Sequence, residues 1–216
     1  MKKLLLVALA MAALVAPILS RAESNITSPA AVGATATARL NFSVVIPSVL
    51  YLAVGTNTSM AANATVDALA FTVPAASIGA GTASVVVTGG DQGVGAVTVR
   101  VFSNVGGATG NVSLNSTTTG QLKSGTDIIP WTDIAVASAP LAATTTGYTN
   151  AGITHPTFNN TVGGGAGTLV TLTAASKVVR QEGKWTFSYA NTNTYPAGTY
   201  GAAGGNGIVT YTATSL

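Results

Sequence analysis

The side chains that could carry chemistry in this chain are few, and their spacing serves it poorly. There is one histidine, His155, six acids spread along the length, and no cysteine. Without cysteine there is no thiolate nucleophile, no Cys-ligated metal and no disulfide. A Ser-His-Asp hydrolase would need His155 between a nucleophile and a carboxylate, but no Gly-x-Ser-x-Gly elbow supports that arrangement. His155 stands before Pro156 in a polar stretch and reads as a surface imidazole, so an enzyme is not expected. Asp127 and Asp133 could supply the two carboxylates of a glycoside hydrolase. Pro130 lies between them and supporting charge is scarce, which favours a turn or strand edge where Asp bonds the local backbone. The run Gly89-Gly90-Asp91-Gln92-Gly93 lacks the several acids of a calcium site and reads as a β-turn. No Gly-rich stretch opens a helix or carries the Lys-Ser/Thr pair of a phosphate loop. Neither a cofactor nor a metal is expected. A sugar site remains conceivable, because Trp131, Tyr148, Tyr195 and Tyr200 lie beside Asn- and Thr-rich loops. The same aromatics also suit packing at β-sheet corners with the polar tip in a hydrogen bond, which is the favoured reading.

The composition sets the frame for these residues. Charged residues make up 7% of the 216, against roughly a quarter in ordinary soluble domains. Lys2, Lys3 and Arg21 account for three of the nine Lys and Arg, so six basic residues face six acids beyond position 22. That balance offers no basic face for nucleic acid. Residues 1–22 read as a secretory signal peptide: a basic start, an apolar run over residues 4–19 and the small residues Ser20 and Ala22 at the exit. Cleavage is expected before Glu23, with no membrane span afterwards and a route through the periplasm. An exported domain without disulfides must stabilise itself by core burial, its own or shared with a neighbour.

Beyond the leader, apolar residues recur at period two in short runs separated by Gly, Asn, Ser and Pro, which predicts an all-β chain without helices. In residues 95–103, Val97, Val99 and Val101 share one face. In residues 184–189, Trp185, Phe187 and Tyr189 do so, and Val209, Tyr211 and Ala213 alternate with Thr210, Thr212 and Thr214. Residues 65–73, 83–88, 111–115, 133–137 and 168–173 are further candidates, giving eight to ten strands and enough material for two packed antiparallel sheets. The polar segment 138–160 is read as a long surface excursion or irregular edge.

The longest pattern is at residues 30–46, where every even position is apolar (Ala30, Val32, Ala34, Ala36, Ala38, Leu40, Phe42, Val44, Ile46). As one strand it would span about 56 Å, far beyond the roughly 20 Å of an ordinary strand. It either bends and serves both sheets of its own domain, or its Ala-rich front half completes a neighbouring copy while Leu40 to Ile46 form the subunit's own first strand. The second reading makes Ala30, Val32, Ala34, Ala36 and Ala38 the subunit interface, a donor arm. The expected core is Leu40, Phe42, Val44, Ile46, Val97, Val99, Val101, Trp185, Phe187, Val209 and Tyr211.

The runs Gly183-Lys184-Trp185-Thr186-Phe187-Ser188-Tyr189-Ala190-Asn191, Tyr195-Pro196-Ala197-Gly198-Thr199-Tyr200 and Gly207-Ile208-Val209-Thr210-Tyr211-Thr212-Ala213 resemble the closing strands of secreted bacterial β-sandwich proteins of the fimbrial-subunit type. Residues 122–134, with Ile129-Pro130-Trp131 and Ile134, resemble their middle. The resemblance implies an immunoglobulin-like two-sheet sandwich and a structural or adhesive surface role, with a periplasmic chaperone and an outer-membrane usher as partners. The resulting expectation is a signal peptide at 1–22, an N-terminal arm at 23–39 and a β-sandwich domain at 40–216. The function expected is that of a secreted, pilin-like subunit polymerising head to tail with copies of itself into a cell-surface filament. The alternative is a monomeric adhesin or carbohydrate-binding module whose partner is a surface glycan.

Overall fold

The structure is a computed structural model that describes residues 23–57, 60–201 and 206–216, so the signal-peptide expectation at 1–22 lies outside the described residues. The chain divides into two units, Met1–Ile46 and Pro47–Leu216. The second contains every strand among the described residues, thirteen in all, with single turns of 3-10 helix at Ala75–Ser77, Thr82–Ser84 and Trp131–Asp133. The fold is all-β and its sheets are antiparallel apart from one short parallel pairing.

The first sheet has the order β1 (Leu50–Val54), β4 (Ala96–Ser103), β12 (Val179–Tyr189), β8 (Ile134–Ala139). The short β9 (Thr149–Asn150) joins β12 in parallel. The second sheet is built on β5 (Val112–Thr118), flanked by β13 (Val209–Ser215) on one edge and by β10 (Gly165–Ala166) and β11 (Val170–Leu172) on the other. Two hairpins complete the list: β2 (Leu69–Thr72) with β3 (Val86–Gly89), and β6 (Leu122–Ser124) with β7 (Asp127–Ile129). Period-two alternation does what it should in these strands. Trp185, Phe187 and Tyr189 are buried while Lys184, Thr186 and Ser188 are half-buried. Val97, Val99 and Val101 of β4, Val112 and Leu114 of β5 and Trp185 of β12 belong to one core cluster. Both sheets therefore contribute to a single apolar interior.

The expected first strand is corrected. Leu40, Phe42, Val44 and Ile46 are not core residues but exposed ones, and they lie in the first unit. Leu50–Val54 is the first strand instead, placing Leu52 and Val54 against the core. Pro47 explains the offset, because it has no N–H for a ladder. Asn104 caps the strand's entry: its Oδ1 accepts from Val49 N at 2.6 Å and its Nδ2 donates to Pro47 O at 2.8 Å. Val209 and Tyr211 are half-buried at the rim of the core rather than inside it.

The 138–160 stretch is not a free excursion. Its first part is fixed by a buried ion pair between β4 and β12, in which Arg100 Nε donates to Glu182 Oε2 at 3.0 Å. Thr145 N donates to Glu182 Oε1 at 2.5 Å, and Arg100 Nη2 donates to Thr145 Oγ1 at 3.0 Å. Burial alone would raise the Glu182 carboxyl, but the Thr145 and Arg100 hydrogen bonds and the Arg100 charge outweigh it and hold the group below its usual value. The second part, residues 153–160, forms no strand. It is held by side chains of both sheets: Trp185 Nε1 donates to Ile153 O at 2.6 Å, Ser116 Oγ to Thr157 O at 2.9 Å and Thr118 Oγ1 to Asn159 O at 3.0 Å. Two glycines admit it. A Cβ at Gly183 would come within 2.8 Å of Gly152 Cα, and one at Gly167 would overlap Thr157 O.

Removing one member of the buried ion pair leaves a charge without its partner. Arg100→Met should destabilise the protein by roughly 3–5 kcal/mol, and Arg100→Met with Glu182→Met by clearly less. Urea midpoints of the two variants check this; equal losses would show that the excursion, not the uncompensated carboxylate, sets the cost.

Candidate functional site

Three features could carry function, and the first is the N-terminal unit. Every residue from 23 to 48 is exposed, including Ala30, Val32, Ala34, Ala36 and Ala38. The span 30–46 is not one ribbon. Ala34 N donates to Ala31 O at 2.9 Å in a turn whose third residue, Gly33, has φ +90°, a conformation that suits glycine. Arg39 holds Glu23 with two bonds, Nε to Oε2 at 2.6 Å and Nη2 to Oε1 at 3.1 Å, and Thr27 Oγ1 donates to Thr35 O at 3.3 Å. The Ala-rich half is thus folded back on residues 23–29. Beyond Arg39 come the bulky residues Leu40 (64% exposed), Phe42 (86%), Val44 (83%), Val45 (89%) and Ile46 (76%). Such a concentration of exposed large apolar side chains is uncommon unless a partner covers them.

The second feature is the open sheet edge. Among the described residues no strand pairs with the outer edge of β1 or of β13, and the two strands lie beside one another. On β13, Val209, Tyr211 and Ala213 face the core, and Ile208 and Leu216 at its ends are exposed. The open side of a seven-residue edge strand presents a row of N–H and C=O groups able to accept another strand.

The third is a cleft of about 360 Å³ lined by Trp131, Thr132, Ile134, Val136, Ser138, Thr154, His155, Thr157, Phe158 and Asn160. It lies along β8, which among the described residues pairs only with β12 and sits at the sheet's margin. His155 is not the surface imidazole expected. Its ring makes edge contacts with Trp185 at 4.6 Å, Phe158 at 4.7 Å, Tyr211 at 5.6 Å and Phe187 at 5.7 Å, and its Nε2 forms a 2.7 Å hydrogen bond with Tyr211 Oη. Burial without a charged partner pulls the imidazole down to about 4 and pushes the Tyr211 hydroxyl up. A neutral, aromatic-walled imidazole is a packing group rather than a poised base. Phe158 is three positions away, but Trp185, Phe187 and Tyr211 lie 30, 32 and 56 positions away, so little near His155 announced this environment.

The other residues weighed as sites take structural positions. The Asp133 carboxylate is buried and accepts from Tyr195 Oη at 2.8 Å and Asn193 Nδ2 at 3.3 Å, whereas Asp127 is exposed in the β6–β7 hairpin. Burial first, then the Asp133 carboxylate, drives the Tyr195 hydroxyl up to about 12. Tyr200 Oη donates to Pro196 O at 2.8 Å and Trp131 Nε1 to Gly120 O at 2.7 Å, so these aromatics pack with their polar tips satisfied. Asp91 organises the β3–β4 turn by accepting from Thr98 N at 2.7 Å and Thr98 Oγ1 at 2.5 Å. No group of three His, Asp or Glu side chains able to hold a metal occurs among the described residues. Sequence reasoning missed the Arg100–Glu182 pair and the Asn160 side chain, which accepts from Trp131 N at 2.7 Å.

A histidine whose pKa is depressed in the folded state stabilises the protein above the unfolded-state value, and that contribution is lost as pH falls through the folded one. Between pH 6.5 and 4 the folding free energy should therefore fall by on the order of 2–3 kcal/mol through His155. Urea titrations at pH 7 and pH 4.5 should show the drop in the native chain and a much flatter response in His155→Gln; an undiminished drop in the variant would place the acid-sensitive group elsewhere. Comparison of the chain with models of known protein families, with curated proteins and with solved structures finds no match to any of them.

Proposed function

We propose that the protein is an exported structural subunit, an immunoglobulin-like sandwich that polymerises head to tail into a cell-surface filament by lending its N-terminal arm to the next copy. The observation that carries this reading is the exposed apolar series Leu40, Phe42, Val44, Val45 and Ile46, at the end of an arm that itself has no strand. Alternating residues of this kind become stable when they add a strand to an open edge, where the backbone gains a ladder and alternate side chains gain a pocket. The unpaired outer edges of β1 and β13 provide such an edge. Because donor and acceptor lie at different places on the subunit, each contact is heterologous and the series does not close.

The Ala-rich stretch with Ala30, Val32, Ala34, Ala36 and Ala38 extends the arm once the turn at Gly33 opens. Secretion through the periplasm, with a chaperone covering the arm's acceptor edge and an outer-membrane usher ordering the additions, fits the resemblance of the closing strands to fimbrial subunits. The second reading, an adhesin or carbohydrate-binding module, is favoured by one observation, the uncharged cleft at Trp131 and His155. The two readings are compatible in one molecule.

The test is electron microscopy and sedimentation of the purified chain from residue 23 onward. Filaments are expected for the native sequence. Phe42→Asp with Val44→Asp should give a β-rich monomer of unchanged circular dichroism, since losing each buried side chain removes roughly 1.5–3 kcal/mol from the contact and about tenfold or more from its affinity per residue. A native chain that stays monomeric at high concentration, or a double variant that still polymerises, would overturn the reading.

A further inference from the structure

We propose that the cleft between β8 and residues 153–160 binds a neutral sugar. Its walls combine the two surfaces that an uncharged polyol needs. Trp131, Ile134, Val136 and Phe158 supply an apolar floor, with the Trp131 and Phe158 rings 4.7 Å apart at 38°. Around it stand polar groups that the protein leaves unused. Among the described residues the Thr132 and Thr154 hydroxyls make no hydrogen bond, the Ser138 Oγ accepts from His155 N alone, and the Asn160 Nδ2 finds no acceptor while its Oδ1 is taken. Gln121, buried and outside the lining, braces this wall by donating through Nε2 to Asn160 O at 2.8 Å.

The lining contains no Asp, Glu, Lys or Arg. The nearest acid in sequence, Asp133, is committed to Tyr195 and Asn193. Phosphates, carboxylates and cations therefore find no counter-charge, whereas hydroxyl groups find donors and acceptors set about an apolar floor. The site is built rather than incidental: 153–160 is fixed by bonds from Trp185, Ser116, Thr118 and Gln121 on three strands or loops, so its polar atoms are held in place before any ligand arrives. A volume of about 360 Å³ is at the lower end of small-ligand sites. The inference does not rest on filament formation, because the arm contributes nothing to the lining.

The test is nuclear magnetic resonance of the full mature chain titrated with the methyl glycosides of glucose, galactose, mannose and N-acetylglucosamine, with glucuronate as a charged control. At least one neutral glycoside should move the Trp131 indole and Phe158 ring signals saturably while Tyr200 stays put. Thr132→Val with Thr154→Val, both exposed and nearly isosteric, should keep the native spectrum and weaken binding roughly tenfold, as expected for two lost hydrogen bonds. No saturable shift with any of the four at about 20 mM, a concentration that would saturate even a Kd near 1 mM, overturns the proposal. So does binding that the double variant leaves unchanged, or equal binding of glucuronate.

Discussion

A single buried indole governs more of this structure than any other group. Trp185 is fully buried in β12, and its Nε1 holds the Ile153 carbonyl at 2.6 Å. That bond anchors the start of a run that contributes no strand, yet carries Ile153 and Pro156 into the interior and His155 onto the Trp185 ring. A buried carbonyl without a donor costs roughly 1–3 kcal/mol, so the indole is what permits irregular backbone at that depth. From this anchor follow the aromatic box around His155, the depressed imidazole and one wall of the cleft.

The same economy recurs wherever the chain departs from a ladder. With few charges and no cysteine, the protein ties its irregular segments with short polar side chains to the backbone. Asn191, at φ 49°, donates to Ser77 O and Gly81 O and accepts from Gly79 N, so one amide orders the loop between β2 and β3. Asn150 does the same for Leu141, accepting from its N–H and donating to its carbonyl. These residues are neutral, so they fix loops without the desolvation cost of buried ions. Charged side chains serve at a few places, among them Asp91, Asp133 and the Arg100–Glu182 pair, and that pair is held by further bonds from Thr145 N to Glu182 and from Arg100 to Thr145 Oγ1 and the Asn57 carbonyl.

How far the sequence foretold this depends on whether a signal was local. The faces of β4, β12 and β13 were legible because alternation is a property of consecutive residues. β1 was missed because five residues after a proline make a weak pattern beside the seventeen before it. The same long pattern was misread as core: alternation shows that a segment can be pleated, but not that its own domain will cover it. His155 was illegible for a different reason, since three of its four ring contacts come from the distant strands β12 and β13. The cleft inherits that difficulty, because Asn160 and Thr132 acquire meaning only when residues 153–160 are laid along β8.

Magnitudes restrict what the arm can do. Burying five large apolar side chains, Leu40, Phe42, Val44, Val45 and Ile46, is worth on the order of 10 kcal/mol. Fixing the seven backbones of residues 40–46 costs about 7–14 kcal/mol, before side-chain entropy is counted. Apolar contact alone therefore leaves the arm close to balance, and a smooth hydrophobic patch would hold it weakly. An open strand edge changes the outcome, because each ladder hydrogen bond adds roughly 0.5–1.5 kcal/mol net of the water bonds it replaces. A surface that holds residues 40–46 must therefore offer backbone as well as apolar contact, and among the described residues the margins of the sheets carry strand edges without a paired neighbour.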